Sequence, residues 1–418
     1  MTIDSSGHSE HEEKVTQFSA IAFVGQNANG ILAWWTQCIA DRMAMYGISV
    51  QIIDMLQEDW AAKLDARLKQ GRPDFCFSHQ GIGMNLNLES GNLWTSLKIP
   101  FIGIMGDAPY QAPSLHKASG PGKFFLYGVQ EFADFYAHYM GGNAIASVLL
   151  PGYPSNPYAS AKPWHERDLE LVFVKTGADP QAIRSDWIRL PKLIRDIVEQ
   201  ASQTALAGQK ETIGRIVADA FAERQIHFGN RLALFMRSCW LVDAYVRAVR
   251  ADRMARQVVR HGGHIFGRWP HLEQSNSRAV FHGPIAAQEL NQLYGRSRIL
   301  ANTAPCTLTG AHDRIMASFL SKAFTLTDSS PARDESLGIY PSYKSAPIDD
   351  PVFPDAVDMR LSEIRQMAND PSGTQMMLDD VYAKAVERFG LDQFIGKMLE
   401  LIMLNAFEME SNFYEFNA

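Results

Sequence analysis

Eight places in this sequence set a reactive or charged residue where a short apolar run gives way to a polar loop. They are His79 in SHQGIG (78–83), Asp107 in GDAP (106–109), Lys175 in FVKTG (173–177) and Arg268 in GRW (267–269). The others are His282 with Gly283 in HGP (282–284), Asn302 opening a long polar loop, Gly310, His312 and Arg314 in GAHDR (310–314), and Asp328 ending FTLTD (324–328). A histidine or carboxylate within hydrogen-bond reach of a hydroxyl can take its proton, which gives His79 and Asp107 the chemistry of a general base. An ammonium or guanidinium can neutralise a phosphate leaving group, the chemistry open to Lys175, Arg268 and Arg314. A helix beginning near His312 would add backbone N–H groups and a positive dipole end, a setting that suits a diphosphate. Each residue has a plainer reading as well. Asp107 could be a cap or turn residue, Lys175 an exposed turn lysine, and Arg268 with Trp269 a packing pair under a loop.

These residues share a site only if the elements before them are strands of parallel sheets, because ligands bind outside the carboxyl ends of such strands. The pattern supports this. Residues 20–24 and 48–53 read as strands flanking a helix at 31–46, a βαβ unit whose crossover favours parallel pairing. Strands at 75–77, 101–105, 124–129 and 146–150, with a helix at 131–139, complete a first domain over 19–157, and PGYPSNP (151–157) is a plausible linker. A second α/β unit, 158–345, opens on LELVFV (169–174) and resumes with strands at 264–266, 279–281, 299–301 and 323–327. Helices at 286–295 and 313–321 separate the later strands. Between lies a helical insertion, 183–260, with helices expected at 183–207, 211–222 and 231–260, in excess of what two such domains require and available for a homodimer contact. The tail, 346–418, carries helical patterns at 359–369, 376–389 and 391–407 expected to pack back on the first domain. Residues 1–18 read as a disordered leader.

The stretch 280–328 carries the most specific combination. A strand with an HG turn (His282-Gly283) is followed by Leu293-Tyr294 with Ser297 and Asn302. A GxHxR junction (Gly310, His312, Arg314) and a strand ending in Leu326-Thr327-Asp328 come after it. In this order they resemble the C-terminal half of CgeB-like and group 1 glycosyltransferases, and Asp107 matches that family's "D.P" element. The resemblance implies a GT-B fold: two Rossmann-like domains facing each other across a cleft, here with added helices. It also implies that the second domain binds a nucleotide-sugar donor through His312, Arg314 and the strand ends. Two positions depart from the pattern. Ala317 stands where the family has an acidic or amide residue, which favours an inverting reaction, and Lys322 stands where it has a glycine.

The expectation is a glycosyltransferase moving a sugar from a nucleotide-sugar to a polysaccharide, lipid-linked glycan or protein acceptor, without a metal or other cofactor. Two rivals remain: a catalytically silent binding protein of the same shape, supported by the departures at Ala317 and Lys322, and a sugar-nucleotide epimerase using Asp107 and His79. A net charge of −7 gives no attraction to nucleic acid, and no GxGxxG fingerprint, P-loop or GxSxG elbow is present. His261 and His264 in HGGH have no further ligand at metal spacing. Cys38, Cys76, Cys239 and Cys306 lie far apart and read as thiols in a reducing, cytoplasmic setting. No apolar run reaches the length of a spanning helix, though a peripheral membrane contact stays open.

Overall fold

A computed structural model describes residues 18–25, 30–89, 91–117, 122–141, 144–273 and 278–415, with the backbone alone at Asn230 and 405–415. The leader to residue 17 and most of the loop GQNANG lie outside these.

The first domain alternates β1 (Ser19–Val24), α1 (Ile31–Ala44), β2 (Ser49–Asp54), α2 (Trp60–Lys69) and β3 (Phe75–His79). A two-residue hairpin, β4 (Asn87–Leu88) and β5 (Gly91–Asn92), and the short α3 (Leu93–Ser96) precede β6 (Phe101–Met105). Then follow β7 (Lys123–Tyr127), α4 (Gln130–Phe135) and β8 (Ile145–Val148). The six long strands are all parallel, in the order β2-β1-β3-β6-β7-β8. The central strands β3, β6 and β7 are buried at every position, as helices on both faces require.

The second domain opens on β9 (Leu169–Val174) and then leaves the sheet for α5 (Pro180–Asp186), α6 (Lys192–Leu206), α7 (Ile213–Ala222) and α8 (Leu232–Arg260). It returns through β10 (His264–Phe266), β11 (Val280–His282), α9 (Ala287–Gly295), β12 (Ser297–Ala301) and α10 (Asp313–Phe319). β13 (Phe324–Asp328), α11 (Pro331–Leu337) and β14 (Tyr343–Ala346) complete a parallel sheet of order β11-β10-β9-β12-β13-β14. The order reverses between β9 and β12, and in the first sheet between β1 and β3, so each domain has a crevice at those strand ends.

The helix expected over 183–207 is two helices. Pro180 starts α5 behind the Asp179 cap, and Leu190, the residue before Pro191, is extended at ψ 148, which ends that segment before α6 begins. The insertion does not project from the molecule. Phe235 of α8 stacks on Phe135 of α4 with ring centroids 5.9 Å apart, and a side chain on Gly214 of α7 would meet the Phe135 ring at 2.7 Å. Helices α6 to α8 and the first sheet thus share one core. Of the tail, α12 (Phe353–Met367) packs beside β14 and α13 (Pro371–Phe389) beside α10. The start of α14 (Leu391–Glu415) crosses to the first domain, where Arg42 and Tyr46 of α1 both bind Asp392. Two parallel Rossmann-like sheets with flanking helices, their strand ends lining one cleft, make this an α/β protein of GT-B architecture.

Candidate functional site

A cleft of ≈ 490 Å³ separates the domains, lined by Trp35, His79, Gln80, Gly106 and Asp107 on one side and by Thr307, Gly310, Ala311, His312 and Asp313 on the other. The first wall stands on the ends of β3 and β6. Gln80, just past β3, takes a left-handed backbone (φ 58) that non-glycine residues rarely adopt. The turn lets its Nε2 donate to Asp107 Oδ2 at 2.8 Å. Burial raises the pKa of Asp107, with Asp243 and Asp313 adding to the effect and Arg247 opposing it. The result is a carboxylate more basic than usual, oriented through one oxygen. His79 is placed differently. Its ring lies 5.1 Å from that of Trp35, its Nε2 is buried without a partner, and burial pushes its pKa down to about 4. It is therefore neutral at pH 7 and a much weaker base than a free imidazole.

Beyond the second wall, Lys175 follows β9 at the point where the strand order reverses, and its Nζ donates to Thr303 Oγ1, beyond β12, at 2.7 Å. Burial, then the charges of Arg314 and Arg247, bring its pKa down to about 7. The sequence GRW explains how this lysine is held. Trp269 is fully buried, its Nε1 donates to the Lys175 carbonyl at 2.5 Å, and its ring lies so close to Gly177 that a Cβ there would sit 2.3 Å away. Arg268 itself is exposed at the end of β10. Arg314 points back towards the sheet, with Nη1 3.4 Å from Oδ1 of the buried Asn302, and its charge reaches Lys175.

Other residues of the motif serve structure. Asp328 has both oxygens engaged: Oδ1 accepts the Ala304 N–H at 2.7 Å and Oδ2 accepts from Arg333 Nη2 at 2.8 Å. It fixes the loop after β12. The start of α10 is also partly occupied. Asp313 Oδ1 accepts the Arg314 N–H at 2.9 Å and lies 2.5 Å from His312 Nδ1. His312 Nδ1 is 3.4 Å from the same Arg314 N–H, but one ring nitrogen cannot donate to Asp313 and accept from Arg314 together. The shorter contact, with His312 donating, is the consistent one: although burial opposes it, His312 and Arg314 hold the Asp313 carboxyl below the usual carboxylate range. The expectation of a free helix end is thus corrected by the protein's own carboxylate.

His282 and Gly283 close the edge strand β11. The His282 ring stacks on Phe266 at 4.1 Å, its Nε2 lies 3.1 Å from His264 Nδ1, and Gly283 O accepts the Gly267 N–H at 3.3 Å. They stand two strands from Lys175. Ala317 is buried in the core beneath α10. Lys322 has a left-handed backbone (φ 52), the conformation that a glycine takes at no steric cost, and is tethered by Asp379 at 2.8 Å.

Sequence reading did not identify the groups that tie the walls together. Glu131, in the first turn of α4, accepts the N–H groups of Leu308 and Thr309 at 2.6 and 2.7 Å through one oxygen, and the Thr309 hydroxyl through the other. Gly310 (φ 77) crosses so close to the first domain that a Cβ would lie 2.4 Å from Val129 Cγ1. From α8 come Asp243, whose Oδ2 accepts from Gln111 Nε2 at 2.8 Å, and Arg247. A signal was present, since Asp243 and Arg247 are charges interleaved with the apolar run Leu241, Val242, Val246 and Ala248 of α8, and buried charges call for partners. What they would meet was not visible in the insertion alone.

Among the described residues no group of three or more His, Cys, Asp or Glu could hold a metal ion, and no helix is long and apolar enough to cross a membrane.

No family model matches this chain, and no curated protein does. Among solved structures it resembles a glycosyltransferase from Rickettsia africae (11% identity, TM-score 0.42, covering 94% of this chain and 99% of that one). It also resembles Anabaena HepE in complex with UDP (13%, 0.46, 92% and 99%) and sucrose-phosphate synthase from Thermosynechococcus elongatus (10%, 0.47, 93% and 98%). All three likenesses are distant, and the functional case stands on the cleft's own geometry.

Proposed function

We propose that this protein is a glycosyltransferase that moves a sugar from a nucleotide-sugar to a glycan, lipid-linked glycan or protein hydroxyl, with inversion and without a metal. One observation carries the reading: a carboxylate of raised basicity lines the cleft between the domains, and the second-domain sheet facing it holds a buried lysine just past β9, where its strand order reverses. Asp107 takes the acceptor hydroxyl proton as that oxygen bonds to the sugar's anomeric carbon. The bond from that carbon to the diphosphate breaks, and its electron pair leaves with the diphosphate. Lys175 and Arg314 stabilise the charge that develops there, in a low-dielectric site where fixed cations act strongly. His79 shapes the acceptor side as a neutral ring. The unpaired cysteines, three of them buried, support a reducing, cytoplasmic setting.

The test offers UDP-, GDP-, CDP- and TDP-sugars to the protein with and without a mixture of glycan, lipid-linked glycan and protein acceptors. Free nucleoside diphosphate should accumulate only when donor and acceptor are both present. Conversion of the sugar without an acceptor would instead establish an epimerase, and binding without turnover a silent relative.

A further inference from the structure

On the first-domain side of the cleft Ile31, Leu32, Ile82 and Leu115 stand half-buried, and the buried rings of Trp35 and Phe132 belong to the same lining. Apolar surface left wet around a cavity is costly, and the cost is recovered when an apolar ligand covers it. Among the described residues that line the cleft there is no lysine or arginine, and His79 is neutral at pH 7. Nothing on this side attracts an anionic acceptor.

The polar groups of the cleft are few, and most are paired with one another. Gln80 Nε2 donates to Asp107 Oδ2 at 2.8 Å, and on the facing wall His312 and Asp313 are engaged with each other. A sugar carries a hydroxyl on nearly every ring carbon, and each one that enters a site without a partner forfeits the hydrogen bonds it made in water. What the first-domain side keeps open is small: the second oxygen of Asp107, and His79, whose Nε2 is buried in the wall without a partner. That set suits one hydroxyl on an otherwise apolar group. An aromatic carrier fits better than an aliphatic one. Flat rings pack well beside Trp35 and Phe132, and a phenol, with a pKa of about 10, asks less of a carboxylate base than an aliphatic alcohol does.

We propose that the acceptor is a phenol, either free or as the side chain of a protein tyrosine, whose ring lies on this apolar side of the cleft with its oxygen at Asp107. This rests on the transferase reading above and names its acceptor. The phenolic oxygen bonds to the anomeric carbon, its proton passes to Asp107, and the diphosphate leaves with the electron pair of the broken bond.

The experiment first titrates UDP, GDP, CDP and TDP into the full chain and keeps the one that binds at saturation. Naphthol and a tyrosine peptide, each beside its methyl ether, are then titrated by calorimetry, with hexanol, a serine peptide and maltotriose for comparison. Naphthol or the tyrosine peptide should bind roughly 10-fold or more tightly than hexanol, the serine peptide or the sugar. Which of the two binds tells a small phenol from a protein. The matching methyl ether should be several-fold weaker, having lost the hydroxyl that Asp107 receives. Ile82→Gln and Leu115→Gln, two independent changes to the apolar lining, should each weaken the phenol roughly 10-fold while the nucleoside diphosphate binds as before. Maltotriose, hexanol or the serine peptide binding as tightly as either phenol would overturn the inference and leave the donor reading standing. So would the absence of phenol binding to the nucleotide-bound protein, a methyl ether equal to its phenol, or phenol binding that neither variant weakens. No nucleotide binding to the parent protein would bring down the transferase reading with it.

Discussion

The two walls of the cleft are built on the same kind of parallel sheet, yet they carry opposite chemistry. The first-domain wall is apolar and aromatic, with His79 neutral beside Trp35 and Asp107 as its carboxylate. Beyond the second-domain wall stand Lys175 and Arg314, and an ammonium with a pKa of about 7 is costly to keep buried. A structural lysine would face water or a carboxylate. A lysine whose hydrogen bond runs to a neutral hydroxyl at the crevice of the sheet is held for something that the protein alone does not provide. On the proposed reading, the second-domain side takes the anion and the first-domain wall the hydroxyl.

The sharpest way to break that division is Asp107→Asn. It should lower turnover by roughly 10²- to 10⁴-fold while leaving nucleoside diphosphate affinity nearly unchanged, because it removes a base and not a cation. Equal losses in both measurements would put Asp107 on the wrong side of the comparison. Next in size is Trp269→Ala, which removes a fully buried ring and the hydrogen bond to the Lys175 carbonyl. Urea unfolding should show a loss of about 3–5 kcal/mol, and nucleotide affinity should fall with it.

Lys175→Met separates function from stability. Diphosphate affinity should drop roughly 10- to 100-fold, whereas the ligand-free protein should melt no lower than the parent and higher below pH 7. The sign follows from the depressed pKa. The unfolded chain holds the Lys175 proton up to its ordinary pKa and the folded chain only to about 7, so the charged form opposes folding. That cost is complete below pH 7 and fades as pH rises from about 7 towards the unfolded value. Affinity runs the other way. Only protonated Lys175 attracts the diphosphate, so binding to the parent protein should weaken as pH rises through about 7, and the titration of Lys175→Met should be flat over that window. The smallest effect belongs to Glu131→Ala, which unfastens the loop 308–310 from the first domain. Thermal melts should fall by the equivalent of about 1–3 kcal/mol, and small-angle scattering should show a larger radius of gyration.

Much of this arrangement is legible in the sequence because parallel strands announce themselves by continuous apolar runs. Residues 101–105, 169–174 and 264–266 form strands with the expected bounds. β14 was missed because YKSA has no apolar run; pairing with β13 recruits it. His79, Asp107 and Lys175 were visible at strand ends because a strand followed by a polar loop fixes where a side chain sits along the sheet. Glu131, Asp243 and Arg247 were not, since each acts across a boundary between elements distant in the chain. Nor could the motif GAHDR disclose that Asp313 turns back on its own helix start, a matter of side-chain rotation and not of spacing.

Thermal-shift titration with UDP, GDP, CDP, TDP and their sugar conjugates, beside an Arg314→Ala variant, tests the central claim most directly, since a ligand of the native state alone raises its stability. The account predicts that one nucleotide raises the melting temperature of the parent protein and that the shift shrinks or disappears in the variant. No shift with any of them, or an equal shift in both proteins, would contradict it.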